Sequence, residues 1–103
     1  MSAEPVPMLG PKTVTITVDK NGITVTPPEI EINRLLGESI QWECNVPQFL
    51  ICFGQRTPFD SYHFHERSPM SGRVNGAAKS GPYKYSIECP GVPPLDPTVI
   101  VRP

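Results

Sequence analysis

The chain has no long apolar run. No stretch approaches the roughly 20 residues that a helix needs to cross a bilayer, so no membrane-spanning segment is expected. It also has no surplus of positive charge: nine Lys and Arg stand against ten Asp and Glu, a net charge of -1 at pH 7. Nothing is left over to neutralise a phosphate backbone. Neither a nucleic acid nor a membrane is therefore expected as partner. Cysteine is scarce, with Cys44, Cys52 and Cys89 only. An odd count at irregular spacing excludes a disulfide framework, and there is no Cys-x-x-Cys and no zinc pattern. The N-terminus lacks a basic region followed by an apolar one, so no secretory signal is expected. With cysteines that read as free thiols, a reducing cytoplasm is the simplest compartment. A trimmed start would leave a periplasmic or secreted protein open. No serine stands in a Gly-x-Ser-x-Gly setting, and Gly72-x-x-x-Gly76 is not followed by Lys-Ser/Thr. The expectation is a protein that is not an enzyme.

What is present points to strands. Fourteen prolines and eight glycines in 103 residues exclude a helical bundle and suit short strands joined by fixed turns. At 38% hydrophobic and 18% charged residues, the chain has the means to form one modest core. Residues 1–12, with Pro5, Pro7, Gly10 and Pro11, read as a flexible tail, and 13–103 as the single domain. Thr13–Val18 alternates strictly, apolar at Val14, Ile16 and Val18. Asn21-Gly22 signals a hairpin through two residues that tolerate positive φ, and Ile23–Thr26 returns. After Pro27-Pro28, Glu29–Asn33 and Ser39–Glu43 alternate around a turn at Leu35–Glu38, with Trp42 inward. Phe49–Phe53 is a continuous apolar run, expected as a central strand buried on both faces. A short strand at Tyr62–His65, one strand over Pro82–Cys89 and a last at Thr98–Arg102 complete seven to eight strands. The expected fold is all-β, closed as a two-sheet sandwich.

Four segments together resemble the cupredoxin family. They are Pro28–Trp42, Val46-Pro47-Gln48-Phe49, Gly81-Pro-Tyr-Lys-Tyr-Ser-Ile-Glu-Cys89 and Leu95–Val101. The resemblance spans about residues 13–103 and implies a Greek-key sandwich of cupredoxin type. It places the family's copper thiolate at Cys89 and its first copper histidine at about Gln48. The second histidine would follow Cys89, where Pro90-Gly91-Val92-Pro93-Pro94 stand, and the axial methionine would fall among Leu95, Asp96 and Pro97. One ligand of four is present. Type 1 copper needs two imidazoles, a thiolate and a weak axial thioether. The resemblance therefore implies the fold without the copper site and no cofactor.

The candidate residues follow. His63 and His65, at i and i+2 on a strand, project to one face. They could hold a metal together, or either could join Cys89 in a copper-binding, electron-transfer protein. The plainer readings are a solvated strand face with Tyr62 and Phe64 buried opposite, and a buried Cys89. The irregular stretch 54–81 carries Arg56, Phe59, Tyr62, Arg67, Met70 and Arg73, residue types enriched at interface cores. Its plainer reading has Phe59 and Tyr62 plugging the open end of the sandwich. The expected function is a non-catalytic binding or scaffold module. It engages a protein partner through 54–81, or through an edge strand with Thr13, Thr15 and Thr17 on its accessible face.

Overall fold

The computed structural model describes residues 11–103, so most of the expected tail lies outside the described residues. Among the described residues there is no helix. Nine strands form: β1 (Lys12–Asp19), β2 (Gly22–Thr26), β3 (Glu29–Asn33), β4 (Ile40–Cys44), β5 (Leu50–Cys52), β6 (His63–His65), β7 (Gly81–Lys84), β8 (Ser86–Glu88) and β9 (Thr98–Arg102). They lie in three sheets, ordered β2-β1-β4, β3-β9-β7 and β6-β5-β8. The all-β expectation holds, in an arrangement compatible with a β-sandwich.

Two-residue periodicity builds each layer, because successive side chains of a strand point to opposite faces. In β1 the residues Val14 and Ile16 are fully buried while Thr13, Thr15 and Thr17 face out. Ile30 and Ile32 of β3 and Val99 and Val101 of β9 do the same beneath an outer row that includes Glu29 and Glu31. The β1–β2 hairpin forms where expected, pairing Asp19 with Gly22. Its mechanism differs from the expectation. Positive φ falls on Gly22 alone, and the Asp19 carboxylate accepts the Asn21 backbone N–H at 2.8 Å. The Asp19 side chain thus tightens the turn that Asn21 was expected to supply through its own backbone.

Two strands depart from expectation. The strand expected over 82–89 is divided at Tyr85: Gly81–Lys84 pairs with β9, and Ser86–Glu88 pairs with β5. The Tyr85 N–H is not lost at the switch, since it donates to the Pro97 carbonyl at 3.1 Å. One run of chain thereby joins two of the sheets. The Phe49–Phe53 run is not buried on both faces. Phe49, Ile51 and Phe53 turn inward, while Leu50 and Cys52 are half-buried on the other side. Among the described residues that side is only partly covered, so the apolar run obeys the same alternation as the rest.

The core closes around Trp42 of β4, which is 1% exposed. Its ring lies 5.2 Å from Phe64, 5.7 Å from Tyr85, 6.3 Å from Phe53 and 6.4 Å from Phe59, centroid to centroid. Residues of the β6-β5-β8 sheet and its loops therefore pack against a side chain from the β2-β1-β4 sheet. The indole N–H donates to the Tyr85 hydroxyl at 3.3 Å, which satisfies both buried polar atoms. Trp42→Ala is expected to cost about 3–5 kcal/mol in urea unfolding, because it leaves a cavity and an orphaned hydroxyl. A near-neutral value would show that the layers do not depend on this ring.

Candidate functional site

The segment 54–81 leaves β5, passes through β6 and returns to β7. Its six candidate residues separate. Phe59 is 3% exposed and packs edge-on to Trp42, Phe53 and Phe64, so it belongs to the core. Tyr62, buried beside Phe64 only on the plainer reading, is 45% exposed. It precedes β6 in a bend, where its carbonyl accepts the Phe53 N–H and strand alternation no longer sets its direction. Arg67 lies in the tight turn after β6, its N–H donating to His65 Nδ1 at 3.1 Å. Met70, 45% exposed, bridges to Gln41 at the margin of β4. Arg73 packs directly over Gly37 in the turn after β3. Arg56 and Tyr62 alone of the six share a groove.

That groove has a volume of about 420 Å³ and is lined by Gln55, Arg56, Tyr62, Asn75, Lys79 and Tyr83, among others. Its floor is fixed. The Tyr83 hydroxyl donates to the Lys79 carbonyl at 2.7 Å, and the Arg56 guanidinium stacks on the Tyr83 ring at 4.6 Å from its centroid. Asn75 is held by the Pro58 carbonyl and by Asp60. Arg56 and Lys79 make the groove cationic, and Tyr62 supplies an exposed aromatic wall. Seven of the eight aromatic residues are buried, and Tyr62 is the exception. Lys79, Asn75 and Tyr83 were not singled out from sequence. Tyr83 read only as an inward strand residue, and no local pattern ties Lys79 to Arg56.

The metal candidates occupy other surfaces. His63 and His65 flank the buried Phe64 on the outer face of β6, as expected. His65 and Cys89 line one groove, of about 540 Å³, together with Gln48, Phe49 and Glu66. His63 faces a separate groove beside Ser61 and Tyr62. The Glu66 carboxyl is held below the usual carboxylate range, chiefly by the Phe49 N–H that it accepts at 3.1 Å. This bond pins the Gln48-Phe49 segment to the turn after β6. Burial pushes the Cys89 thiol up to about 11, and the neighbouring Cys44 thiol adds to the rise. Among the described residues no three His, Cys, Asp or Glu side chains converge closely enough to hold a metal.

No family model matches the chain, and no curated protein is significantly similar to it.

Tyr85 and Cys89 make the fold sensitive to alkali. Burial raises the Tyr85 hydroxyl to about 12 against the opposing hydrogen bond from Trp42. Ordinary values of 10.0 for tyrosine and 9.0 for cysteine apply once the chain unfolds. Above about pH 9 the unfolded chain therefore holds fewer protons than the folded one, so unfolding becomes easier as pH rises. Stability from these two groups is fully present below that pH and is lost progressively toward about pH 12. The urea midpoint should fall steadily between about pH 9 and pH 11, and Cys89→Ala should flatten the early part of that fall. A midpoint indifferent to pH over this range would mean that neither group is buried as described.

Proposed function

We propose that this protein is a non-catalytic binding module with a cupredoxin-like Greek-key sandwich, and that it engages a protein partner through the cationic groove at Arg56 and Tyr62. The observation that carries the reading is the singular exposure of Tyr62 beside a guanidinium already stacked and held in place. Tyrosine and arginine are the side chains that most often dominate binding energy at an interface. Arg56 is pre-organised by Tyr83, so less side-chain freedom is lost when a partner docks. The groove's two cations favour a partner that presents carboxylates.

The cupredoxin-like part of the reading is supported by strand order and by one juxtaposition. Consecutive strands β2 and β3 lie in different sheets, and β1 pairs in parallel with β4, as β3 does with β9. Gln48 and Cys89, which the resemblance sets at two copper-ligand positions, line the same groove. The donor set does not fit a type 1 copper. Gln48 offers an amide in place of an imidazole. No nitrogen ligand follows Cys89 before Asp96.

A second reading, copper binding through Cys89 with His65, draws on the groove these two share. His63 shares the outer face of β6 but lines a separate groove.

Affinity capture with the wild type and with Arg56→Ala/Tyr62→Ala tests the first reading. A protein that binds the wild type directly when purified, and binds the double variant at least about tenfold more weakly, is the expected result for two interface anchors. Identical binding by a double variant that is as stable as the wild type would overturn it. Copper titration separates the second reading. No visible thiolate band is expected, and a coloured stoichiometric complex abolished by Cys89→Ser would reverse the ranking.

A further inference from the structure

The turn between β3 and β4 carries Leu35 and Leu36, which are 81% and 52% exposed and lead the exposed large apolar residues of the described chain. Turns at such positions ordinarily carry polar residues, since an exposed leucine gains nothing from water. This turn is also rigid. Gly37 N–H donates to the Arg34 carbonyl at 3.1 Å, and Leu36 N–H donates to the Asn33 side chain at 3.0 Å. The Asn33 N–H donates to Glu38 Oε1 at 2.6 Å. Gly37 takes a φ of 63°, in the left-handed region that favours glycine, and the Arg73 guanidinium lies over it. Two leucines are thus held out on a fixed tip.

The surroundings of the tip are cationic. Arg34 Nη1 donates to the Ala78 carbonyl, and Lys79 follows directly. Lys12 Nζ lies 3.5 Å from Glu38 Oε1, and Arg102 pairs with Glu31 at 2.8 Å. Lys12, Arg34, Arg73, Lys79 and Arg102, five of the chain's nine basic residues, stand on or beside this turn. Of the nine acidic residues among those described, Glu31 and Glu38 stand with them and both are engaged, and Glu29 acts on Arg102 through space. Elsewhere among the described residues six acidic side chains stand against four basic ones, so the balance there is acidic. The resulting dipole turns the leucine tip toward a negatively charged plane.

We propose that Leu35 and Leu36 insert into the interface of an anionic lipid bilayer, with Arg34, Arg73 and Lys79 meeting the headgroups. The expectation of no membrane partner rested on the missing apolar span and on the missing surplus of positive charge, whereas a peripheral contact needs no span and only a local concentration of cations. Apolar insertion and headgroup attraction are each weak alone, and stable attachment takes both. The tip offers both on one rigid support. The proposal shares only Lys79 with the Arg56 groove, since neither Leu35, Leu36, Arg34 nor Arg73 lines it.

Vesicle flotation tests it with the purified chain. Phosphatidylcholine vesicles containing about 30% phosphatidylglycerol should carry the protein upward at low salt, and pure phosphatidylcholine vesicles should not. Raising the salt to about 0.5 M should release most of it, because the Debye length then falls to a few ångströms. Leu35→Ser/Leu36→Ser should weaken partition at least about tenfold with an unchanged near-ultraviolet spectrum. Arg73→Gln should weaken it about fivefold, the effect of one cation at an anionic surface. Failure of the wild type to float overturns the proposal, as does undiminished flotation of the double serine variant. A leucine-dependent dimer without flotation would also overturn it, and would assign the tip to a second copy of the chain.

Discussion

The fold depends on one buried contact, the Trp42 indole against the Tyr85 phenol. Each side chain brings a polar atom into the core that would be costly without a partner. The 3.3 Å hydrogen bond between them satisfies both, and no buried side-chain nitrogen or oxygen among the described residues is left without one. The contact also fixes topology. Tyr85 stands where the chain leaves β9 and takes up β5. Trp42 donates its backbone N–H to the Pro69 carbonyl, which ties the end of the loop after β6 to the margin of β4. A single pair therefore holds two sheets face to face and also orients the segment that carries the candidate groove.

The alternation of β1, β3 and β4 was legible from residue order, because a period of two has only one physical cause when one face is wet. Val14, Ile16 and Trp42 could be assigned inward on that ground alone. The partner switch at Tyr85 was not legible, since Pro82–Cys89 keeps its alternation unbroken across the switch. Only strand pairing distinguishes the two halves, and pairing is a long-range property. The plainer, buried reading of Tyr62 fails for a related reason. Counting back from Phe64 assumed that the strand continued, whereas β6 begins at His63. The groove itself joins Arg56, Lys79 and Tyr83 from separated stretches, and no short motif carries that proximity.

The core's demand for aromatic residues shapes what is left for function. With Trp42, Phe53, Phe59, Phe64 and Tyr85 packed on one another, the interior is stiffened by edge-to-face and stacked rings, each pair adding about 0.5–1.5 kcal/mol beyond its burial. Phe59 is drawn into this cluster from the middle of an irregular stretch. It anchors that stretch from within, so its neighbours Arg56 and Tyr62 project from a fixed base. A loop with a buried aromatic pin can present a surface at little ordering cost, which separates it from a free tail of similar composition.

Charge is distributed as unevenly as aromaticity. The acidic residues of the outer rows, such as Glu29, Glu43 and Glu88, lie on exposed strand positions. Basic residues gather at the turn after β3, and one of them, Lys79, also lines the adjoining groove together with Arg56. Ala78 links the two places, for it lines the groove while its carbonyl accepts from Arg34. At physiological salt the Debye length is about 8 Å, so charges on opposite sides of the molecule hardly sense one another while those along this shared margin act together. A negatively charged surface approaching from this side meets a common field at the leucine tip and at the groove. From the opposite side it meets repulsion, and the orientation of encounter is set before any contact forms.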